Sequence, residues 1–237
     1  MFEAETLYTA DNNQVTIEVD AGDEVSSSGQ KGSDGKIYGI YQPSSQPSSQ
    51  PSSQPTVTPY LTIFVTSEKY KGNLGGAVGA DDKCQNLANN AGLDGTYKAW
   101  ISLSAAWNDP LAASSPAQSW SQFNPNRSYY LADGTTKVAD DWNHLTNAKY
   151  KELYHAINQN ENGQTITEAF RTWTDTNWDG NQASTDIYNC NNWSSAGSYF
   201  EGKYGWTLKT THEWSWDGRQ DCDWEARLYC FQQNKRD

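Results

Sequence analysis

The stretch from Trp173 to Phe231 decides the fold, and its sequence is WTDTNWDGNQASTDIYNCNNWSSAGSYFEGKYGWTLKTTHEWSWDGRQDCDWEARLYCF. It contains three of the four cysteines, Cys190, Cys222 and Cys230, and seven of the eleven tryptophans. Between Cys190 and Cys222 it is rich in Asn, Asp, Gly, Ser and Trp and poor in aliphatic residues, so it cannot bury a core of its own. We therefore expect a long, loop-rich excursion held at both ends, with aromatic rings available for packing or contact.

The composition narrows the class of protein. The 237 residues include 17 Lys and Arg against 29 Asp and Glu, for a net charge of −12. Such an acidic surface repels phosphate, which argues against nucleic acid or an anionic membrane as partner. No apolar run reaches the roughly 18 residues of a membrane span, so we expect no direct membrane insertion. Glu3 and Glu5 replace the basic region of a signal peptide, so we expect a mature or shortened secreted or cell-surface chain.

Residues 1–42 form an acidic N-terminal segment with two predicted strands, Gln14–Val19 and Lys36–Tyr41, separated by a polar loop. Two short strands alone are marginally stable in water. One interpretation is a disordered acidic leader or remnant. The other is an assembly arm that completes a sheet on another copy, which would make the chain a homo-oligomer through residues 1–42.

Residues 43–59 are a low-complexity linker that separates this segment from the folded domain, residues 60–237. The tetrapeptide Pro-Ser-Ser-Gln begins at Pro43, Pro47 and Pro51. A proline at every fourth position blocks helix formation and removes backbone donors. We expect a semi-extended spacer of polyproline type, at roughly 3 Å per residue.

The folded domain is predicted to be α+β, with mixed, mostly antiparallel strands, one or two short helices and long loops. The Gly-rich segment Lys71–Gly79 is predicted to be a turn, after which Asp81 or Asp82 caps a helix that ends near Gly92. A second helix is predicted over Asn147–Ile157. Predicted strands are Tyr60–Thr66, Thr96–Ser102, the hairpin Ser128–Leu131 and Thr136–Val138 around Asp133-Gly134, Phe170–Thr174 and Glu225–Phe231.

Several short motifs follow one another through residues 60–233. In the first half they are Ile63-Phe-Val-Thr-Ser67, Tyr70, Gly72-Asn-Leu-Gly-Gly76, Gly79-Ala-Asp81, Cys84, Ala91-Gly-Leu93, Gly95 and Lys98-Ala-Trp100. In the second half they are Asp133-Gly134, Trp142, Leu145-Thr146, Asn160-Glu161-Asn162-Gly163, Trp173-Thr174, Asp179-Gly180, Cys190-Asn-Asn-Trp193-Ser194 and Arg227-Leu-Tyr-Cys-Phe231. Their order resembles a bacterial surface-protein domain of unknown function that is similar to endostatin and, more distantly, to C-type lectins.

This resemblance implies a C-type lectin-like or endostatin-like fold. Four cysteines allow three disulfide connectivities. The resemblance implies that the first cysteine pairs with the last and the middle two pair together, which gives Cys84–Cys230 and Cys190–Cys222. A zinc site is disfavoured because Cys-x-x-Cys spacing is absent and the chain has only three histidines.

The segment Asp175–Asp186 matches a twelve-residue calcium loop. Asp175, Asn177, Asp179 and Asp186 place oxygens at positions 1, 3, 5 and 12, with Gly180 at position 6. Aspartate at position 12 is shorter than the usual glutamate, and no helix pattern flanks the loop. The alternative, which the resemblance favours, is a plain polar turn; calcium is thus the one candidate cofactor, and no motif requires any.

The tryptophans divide into predicted core and predicted surface. Trp100, Trp142, Trp173 and Trp224 lie in strand-like or packed contexts and are predicted to be core. The predicted ligand-binding surface consists of Trp178, Trp193, Trp206, Trp214, Trp216, Asp217, Arg219 and Asp221. The sugar-binding triplets with proline of C-type lectins are absent, so calcium-dependent sugar capture by that route is not expected.

No motif for catalysis is present. The chain has no Gly-x-Ser-x-Gly elbow and no His-Glu-x-x-His helix, and carboxylate pairs carry little information in so acidic a sequence. We therefore predict a non-enzymatic extracellular recognition or adhesion module whose aromatic-acidic loop surface binds a glycan or an extracellular protein. The alternative is a structural subunit of a surface assembly or filament, which polymerises through the N-terminal segment and displays the lectin-like domain.

Overall fold

A computed structural model describes residues 60–105, 114–120, 126–183 and 188–233, and the backbone of 29–31 and 37–39. The chain divides into two units, Met1–Thr56 and Val57–Asp237. In the first, β1 (Gly29–Lys31) pairs antiparallel with β2 (Ile37–Gly39). β2 lies within the predicted strand Lys36–Tyr41, whereas β1 lies where a loop was predicted. The predicted strand Gln14–Val19 lies outside the described residues.

The second unit has a mixed α+β architecture with two sheets. The larger has five strands in the order β4-β10-β3-β5-β6, in which only β3 and β5 run parallel. Its strands are β3 (Tyr60–Val65), β4 (Thr96–Ala99), β5 (Ser128–Leu131), β6 (Lys137–Ala139) and β10 (Tyr229–Gln233). The smaller is antiparallel, in the order β7 (Arg171–Trp173), β8 (Glu201–Trp206) and β9 (Gly218–Asp221).

One long helix and several short turns connect the strands. They are α1 (Gly76–Asn90), α2 (Pro116–Ser119), α3 (Trp142–Leu145), α4 (Cys190–Trp193) and a 3₁₀ turn at His212–Trp214. Among the described residues, no helix has the length and apolar character to cross a bilayer.

Helix α1 begins earlier than its sequence indicates. Gly75, with φ of 89°, precedes the first helical residue, so the predicted cap at Asp81 or Asp82 is wrong. The Asp81 carboxylate instead accepts a hydrogen bond from the backbone N–H of Ala99, at 2.8 Å, and ties the helix to β4. The end of the helix near Gly92 is as predicted.

The predicted helix over Asn147–Ile157 is wrong. This segment is a series of turns, and the only helix nearby is α3, which ends at Leu145. Leu153 and Ile157 are buried, but Tyr150 and Tyr154 are exposed, so the apolar positions do not form one face. The Leu153 N–H donates to the carbonyl of Thr210 and the Tyr154 N–H to that of Val138, so tertiary contacts replace helical hydrogen bonds here.

Two hydrophobic clusters form the core. Alternate residues of the central strands divide between them: Ile63 and Phe231 belong to one and Phe64 and Cys230 to the other. Because successive side chains of a strand point to opposite faces, the clusters cover the two faces of the five-stranded sheet. Trp100 lies in the first cluster, and Trp173 and Trp193 in the second.

Two disulfides stabilise the second unit. They join Cys84 to Cys230 and Cys190 to Cys222, the pairing that the resemblance implies. The first connects α1 to the central strand β10, and the second connects α4 to the end of β9. Disulfides of this kind are consistent with an extracellular protein.

The excursion between Cys190 and Cys222 is more regular than expected, because it contributes β8 and β9. Gly205 of β8 packs directly under the backbone of Trp214, and a Cβ atom at this position would overlap the Trp214 carbonyl oxygen. Because Gly205 has no side chain, the backbone of the 3₁₀ turn at His212–Trp214 packs directly on β8.

We expect Gly205→Ala to lower the free energy of unfolding by about 2 kcal/mol or more, because rigid backbone atoms must move to admit the methyl group. Denaturant unfolding of the oxidised protein measures this change. Gly197→Ala is the matched control, since the nearest atom to its added Cβ is Ser195 Oγ at 3.5 Å. Equal stability of the two variants would contradict this packing.

Candidate functional site

The small sheet presents aromatic and cationic side chains on both faces. On β8, alternation places Gly202, Tyr204 and Trp206 on one face and Glu201, Lys203 and Gly205 on the other. A Cβ at Gly202 would lie 2.7 Å from Cys190 Sγ, so the first face packs on the disulfide at this end. Tyr204 and Trp206 are half-buried at the other end.

Three aromatic rings surround the guanidinium of Arg171 on this first face. The distances from Arg171 Cζ to the ring centroids are 5.1 Å for Tyr204, 5.3 Å for Trp206 and 5.4 Å for Trp224. Arg171 is directly opposite Trp206 in the register of β7 and β8, and Trp224 extends from the loop after β9. We call these four residues the Arg171 cage.

The charge of Arg171 has no carboxylate partner among the described residues. No acidic oxygen lies within ion-pair distance of its guanidinium, and its Nε is buried without a hydrogen-bond partner. Cation–π contacts stabilise the charge by roughly 0.5–2 kcal/mol each, but they leave the N–H donors of the guanidinium unused. The Arg171 cage therefore combines two half-buried rings and one exposed ring with a cation that can bind an anionic partner.

Asp217 lies at the rim of the cage. Its Oδ2 accepts a hydrogen bond from Trp206 Nε1 at 2.6 Å, which fixes the indole orientation. Trp224 is the most exposed ring of the cage, at 54%. The prediction that Trp224 belongs to the core is therefore wrong.

The opposite face carries a second group, formed by Tyr188, Lys203, Trp216 and Arg219, here called the Tyr188 group. The Tyr188 ring centroid lies 4.6 Å from Arg219 Cζ, and Lys203 Nζ lies 5.8 Å from the Trp216 centroid. Both cations have other partners: Arg219 pairs with Glu201 at 3.4 Å, and Lys203 donates to the Ala183 carbonyl at 3.1 Å. Arg219 is thus paired with a carboxylate, and Lys203 is hydrogen-bonded to the backbone.

The eight predicted ligand-binding residues do not form one surface. Trp206 belongs to the Arg171 cage and Asp217 lies at its rim, whereas Trp216 and Arg219 belong to the Tyr188 group. Trp178 lies elsewhere, in edge contact with Tyr150 at 5.8 Å and packed against the first core cluster. Asp221 is half-buried at the end of β9 and pairs with Glu201 in the sheet.

Trp193 and Trp214 are fully buried, so the prediction that their rings face a ligand is wrong. Trp193 Nε1 donates to the carbonyl of Ser102 at 2.9 Å, and its ring packs on Trp173 at 5.9 Å. The Trp214 ring packs on Trp100 at 5.1 Å. Both indoles fill core volume that aliphatic side chains would fill in a domain richer in Leu, Ile and Val.

Five members of these two groups were not predicted to be surface residues, namely Arg171, Tyr188, Lys203, Tyr204 and Trp224. The strand pattern that would have indicated them is weak, because glycines interrupt the apolar–polar alternation in Gly202-Lys-Tyr-Gly-Trp206. The cation between rings arises only when β7 and β8 pair. Arg171 pairs there with Trp206, which is 206 − 171 = 35 positions away in sequence, and no local pattern reveals such a contact.

The predicted calcium loop begins at a buried aspartate. Asp175 is fully buried with a φ of 42°; its Oδ2 accepts from Gln182 Nε2 at 3.3 Å, and its Oδ1 has no partner. Burial raises the pKa of Asp175 to about 8, although the charge of Lys203 acts in the opposite direction. The carboxyl is therefore mostly protonated at neutral pH and would have to lose its proton to bind a cation.

The remaining loop residues are arranged as a tight turn. The N–H of Gly180 donates to the Asn177 carbonyl at 3.0 Å, and Asp179 Oδ1 accepts from the N–H of Asn181. Asp186 lies outside the described residues. Where the structure is described, no three His, Cys, Asp or Glu side chains are grouped to hold a metal, and calcium binding stays a prediction.

A left-handed turn supports the polar interior beside Asp175. In α4, Cys190, Asn191, Asn192 and Trp193 have φ between 53° and 60°. This conformation costs roughly 1–2 kcal/mol per residue, and the Cys190–Cys222 disulfide and the buried Trp193 ring hold it in place. Asn189 Nδ2 then donates to Ser104 Oγ at 2.9 Å, as does Gln182 Nε2 at 2.6 Å.

Comparison with known proteins identifies a family but no activity. A family model described as a protein of unknown function, DUF1554, matches residues 67–210, which is more than half of the chain. The matched region contains α1, α4 and most of the small sheet. No curated protein matches the chain.

We expect the Asp175 carboxyl to make stability fall with rising pH. Its folded pKa of about 8 lies above the unfolded value of roughly 3.9, so the folded state binds more protons between these values. The stabilisation is fully present below about pH 4 and is lost as the pH rises to about 8. Thermal unfolding across this range should show a smaller decline for Asp175→Asn than for the natural chain.

Asp179→Asn serves as the control, because it removes a carboxylate from the same turn without changing the buried site. A pH profile of Asp175→Asn that parallels that of the natural chain would contradict a protonated Asp175.

The calcium prediction is tested by thermal unfolding with 1 mM calcium and with a chelator at pH 8. Binding at Asp175 requires that calcium raise the melting temperature of the natural chain and leave that of Asp175→Asn unchanged. Identical melting temperatures of the natural chain in the two buffers would establish the plain polar turn.

Proposed function

Because the chain belongs to the DUF1554 family of unknown function, we propose a function from the geometry of its site. The domain is a non-enzymatic recognition or adhesion module of the cell surface or extracellular space, with a C-type lectin-like scaffold. Its ligand is a glycan, which binds at the Arg171 cage on the small sheet.

The observation that carries this proposal is the exposed Arg171 cage itself. Half-buried Tyr204 and Trp206 and the more exposed Trp224 surround a cation that has no carboxylate partner among the described residues. A purely structural Arg would be expected to pair with one of the many acidic residues of this chain. Flat rings beside hydrogen-bonding groups are suited to the apolar faces and hydroxyls of a sugar.

The surroundings of the cage make it rigid. The cage strands are held by the antiparallel ladder of β7, β8 and β9, and the Cys190–Cys222 disulfide links β9 to α4. Asp217 fixes the Trp206 indole through one hydrogen bond. Rings that are already ordered lose little side-chain entropy on binding, which favours affinity.

The disulfides support the proposed location outside the cytosol. Cys84 and Cys230 are both buried in the second core cluster, and together with Cys190 and Cys222 they leave no free thiol. Disulfides persist in oxidising compartments and are rare in cytosolic proteins.

We expect the full oxidised chain to bind members of a glycan array and Trp224→Ala to weaken this binding about tenfold or more, because an exposed anchoring ring is removed. Titration of the strongest hits by calorimetry measures the affinities. Tyr199→Ala is the matched control, since Tyr199 is fully exposed and lies outside the cage.

Equal losses in the two variants would contradict a site at the cage. The absence of any hit on the array would overturn the glycan proposal and leave a protein ligand as the remaining candidate.

A further inference from the structure

We propose that the Arg171 cage recognises the carboxylate of an acidic saccharide, a sugar of the uronic acid class. This inference rests on the proposed glycan function and adds the chemical class of the ligand. The guanidinium binds the carboxylate, while the surrounding rings contact the sugar ring that carries it.

We infer an anionic ligand because the N–H donors of Arg171 are unused. A guanidinium has five N–H donors in a planar fork that matches the two oxygens of a carboxylate. None of the hydrogen bonds formed by side chains of the described residues comes from Arg171, and Nε is buried without a partner. Because Nε is buried, a bound carboxylate would accept from the N–H groups of Nη1 and Nη2 and neutralise the charge.

The Tyr188 group contains a cation on the same sheet that does have a carboxylate partner. Arg219 stacks on Tyr188 as Arg171 stacks on its three rings, but Arg219 also pairs with Glu201 at 3.4 Å. The sheet therefore supplies an internal carboxylate on one face and none on the other, where the ligand would provide it.

The saccharide is favoured by the groups beside the guanidinium. Trp224 is 54% exposed, so its indole is accessible to the C–H groups of a pyranose. Asp217 uses Oδ2 to accept from Trp206 Nε1, which leaves Oδ1 as an acceptor for a sugar hydroxyl. A cation, stacking rings and an acceptor thus lie side by side.

The net charge of the chain limits how anionic the ligand is. At −12 overall, with exposed Asp217 and Glu225 close to the cage rings in sequence, the protein repels a densely charged polyanion. A saccharide with isolated carboxylates avoids this repulsion and still satisfies Arg171. A heavily sulfated chain does not.

The experiment uses the full oxidised chain and three probes: a trisaccharide of D-galacturonate, the same trisaccharide as its methyl ester, and a neutral D-galactose trisaccharide. We expect the galacturonate trisaccharide to bind about tenfold more tightly than its ester, because a charge-assisted hydrogen-bond pair is lost on esterification. Calorimetry measures the affinities.

Arg171→Met should remove this preference, so that the variant binds acid and ester equally, and Arg171→Lys should retain part of it. Lys151→Met, which removes an exposed cation paired with Asp140, is the matched control. Equal binding of acid and ester by the natural chain would overturn the inference while leaving glycan recognition intact. No binding to any glycan would overturn the proposed function as well.

A measurement on the unaltered chain covers the case in which Arg171 variants misfold. In a ¹⁵N-labelled sample, galacturonate should shift the indole N–H signals of Trp206 and Trp224 and leave that of the fully buried Trp100 unchanged. Unmoved signals for both cage indoles would overturn the inference. So would an acetylated dipeptide with a free carboxylate that binds as tightly as the saccharide.

Discussion

The indole of Trp100 holds together parts of the chain that are far apart in sequence. Its ring is fully buried against Trp120, Trp142, Trp214 and Phe231, with centroid distances from 5.0 to 5.9 Å. Its Nε1 donates to Ser215 Oγ at 2.7 Å, and that hydroxyl donates to the Thr176 carbonyl at 2.7 Å. The end of β4, the segment before β9 and the turn after β7 are thereby fixed to one side chain. The position of the small sheet, and of the rings it presents, depends on this contact.

Buried hydroxyl groups form hydrogen bonds that hold the loops of this domain together. Thr174 Oγ1 donates to the Ser215 carbonyl at 2.6 Å, and Ser102 and Thr176 share a hydrogen bond of 2.8 Å. Each bond satisfies a group that would be costly to bury alone. This explains how a sequence poor in Leu, Ile and Val folds around long loops: large indoles fill the volume, and small hydroxyls satisfy the loop backbone.

Elements with strong local signals could be predicted from the sequence. β3, β4, the β5–β6 hairpin and the closing strand have β-branched or aromatic residues and clear turn residues. β3 and the hairpin lie within one residue of their predicted bounds, whereas β4 ends three residues earlier and the closing strand begins four residues later than predicted. The Asn147–Ile157 helix failed because its apolar residues contact different segments of the chain. Helix α1 starts earlier than predicted because Gly75, with its positive φ, precedes the helix without a side-chain cap.

Which tryptophans are buried and which are exposed could not be predicted either, because burial also depends on contacts distant in sequence. Trp193 lies between Asn and Ser, and Trp216 between Ser and Asp, yet the first is fully buried and the second is 37% exposed. Polar neighbours in sequence do not report which side of a sheet a ring occupies. That depends on the left-handed turn of α4 and on strand pairing, both of which are set by contacts distant in sequence. Of the eight predicted ligand-binding residues, four therefore lie in or beside the Arg171 cage and the Tyr188 group, and four lie elsewhere.

The central position of β10 imposes an order on how the protein is made. β4 joins the large sheet only through β10, which also pairs with β3, so the ribosome has to synthesise almost the whole domain before that sheet is complete. Until Cys230 emerges, Cys84 can meet only Cys190 and Cys222, both of them incorrect partners. Early oxidation is therefore native if Cys190 joins Cys222, but any disulfide that Cys84 forms at this stage is non-native and has to be exchanged later.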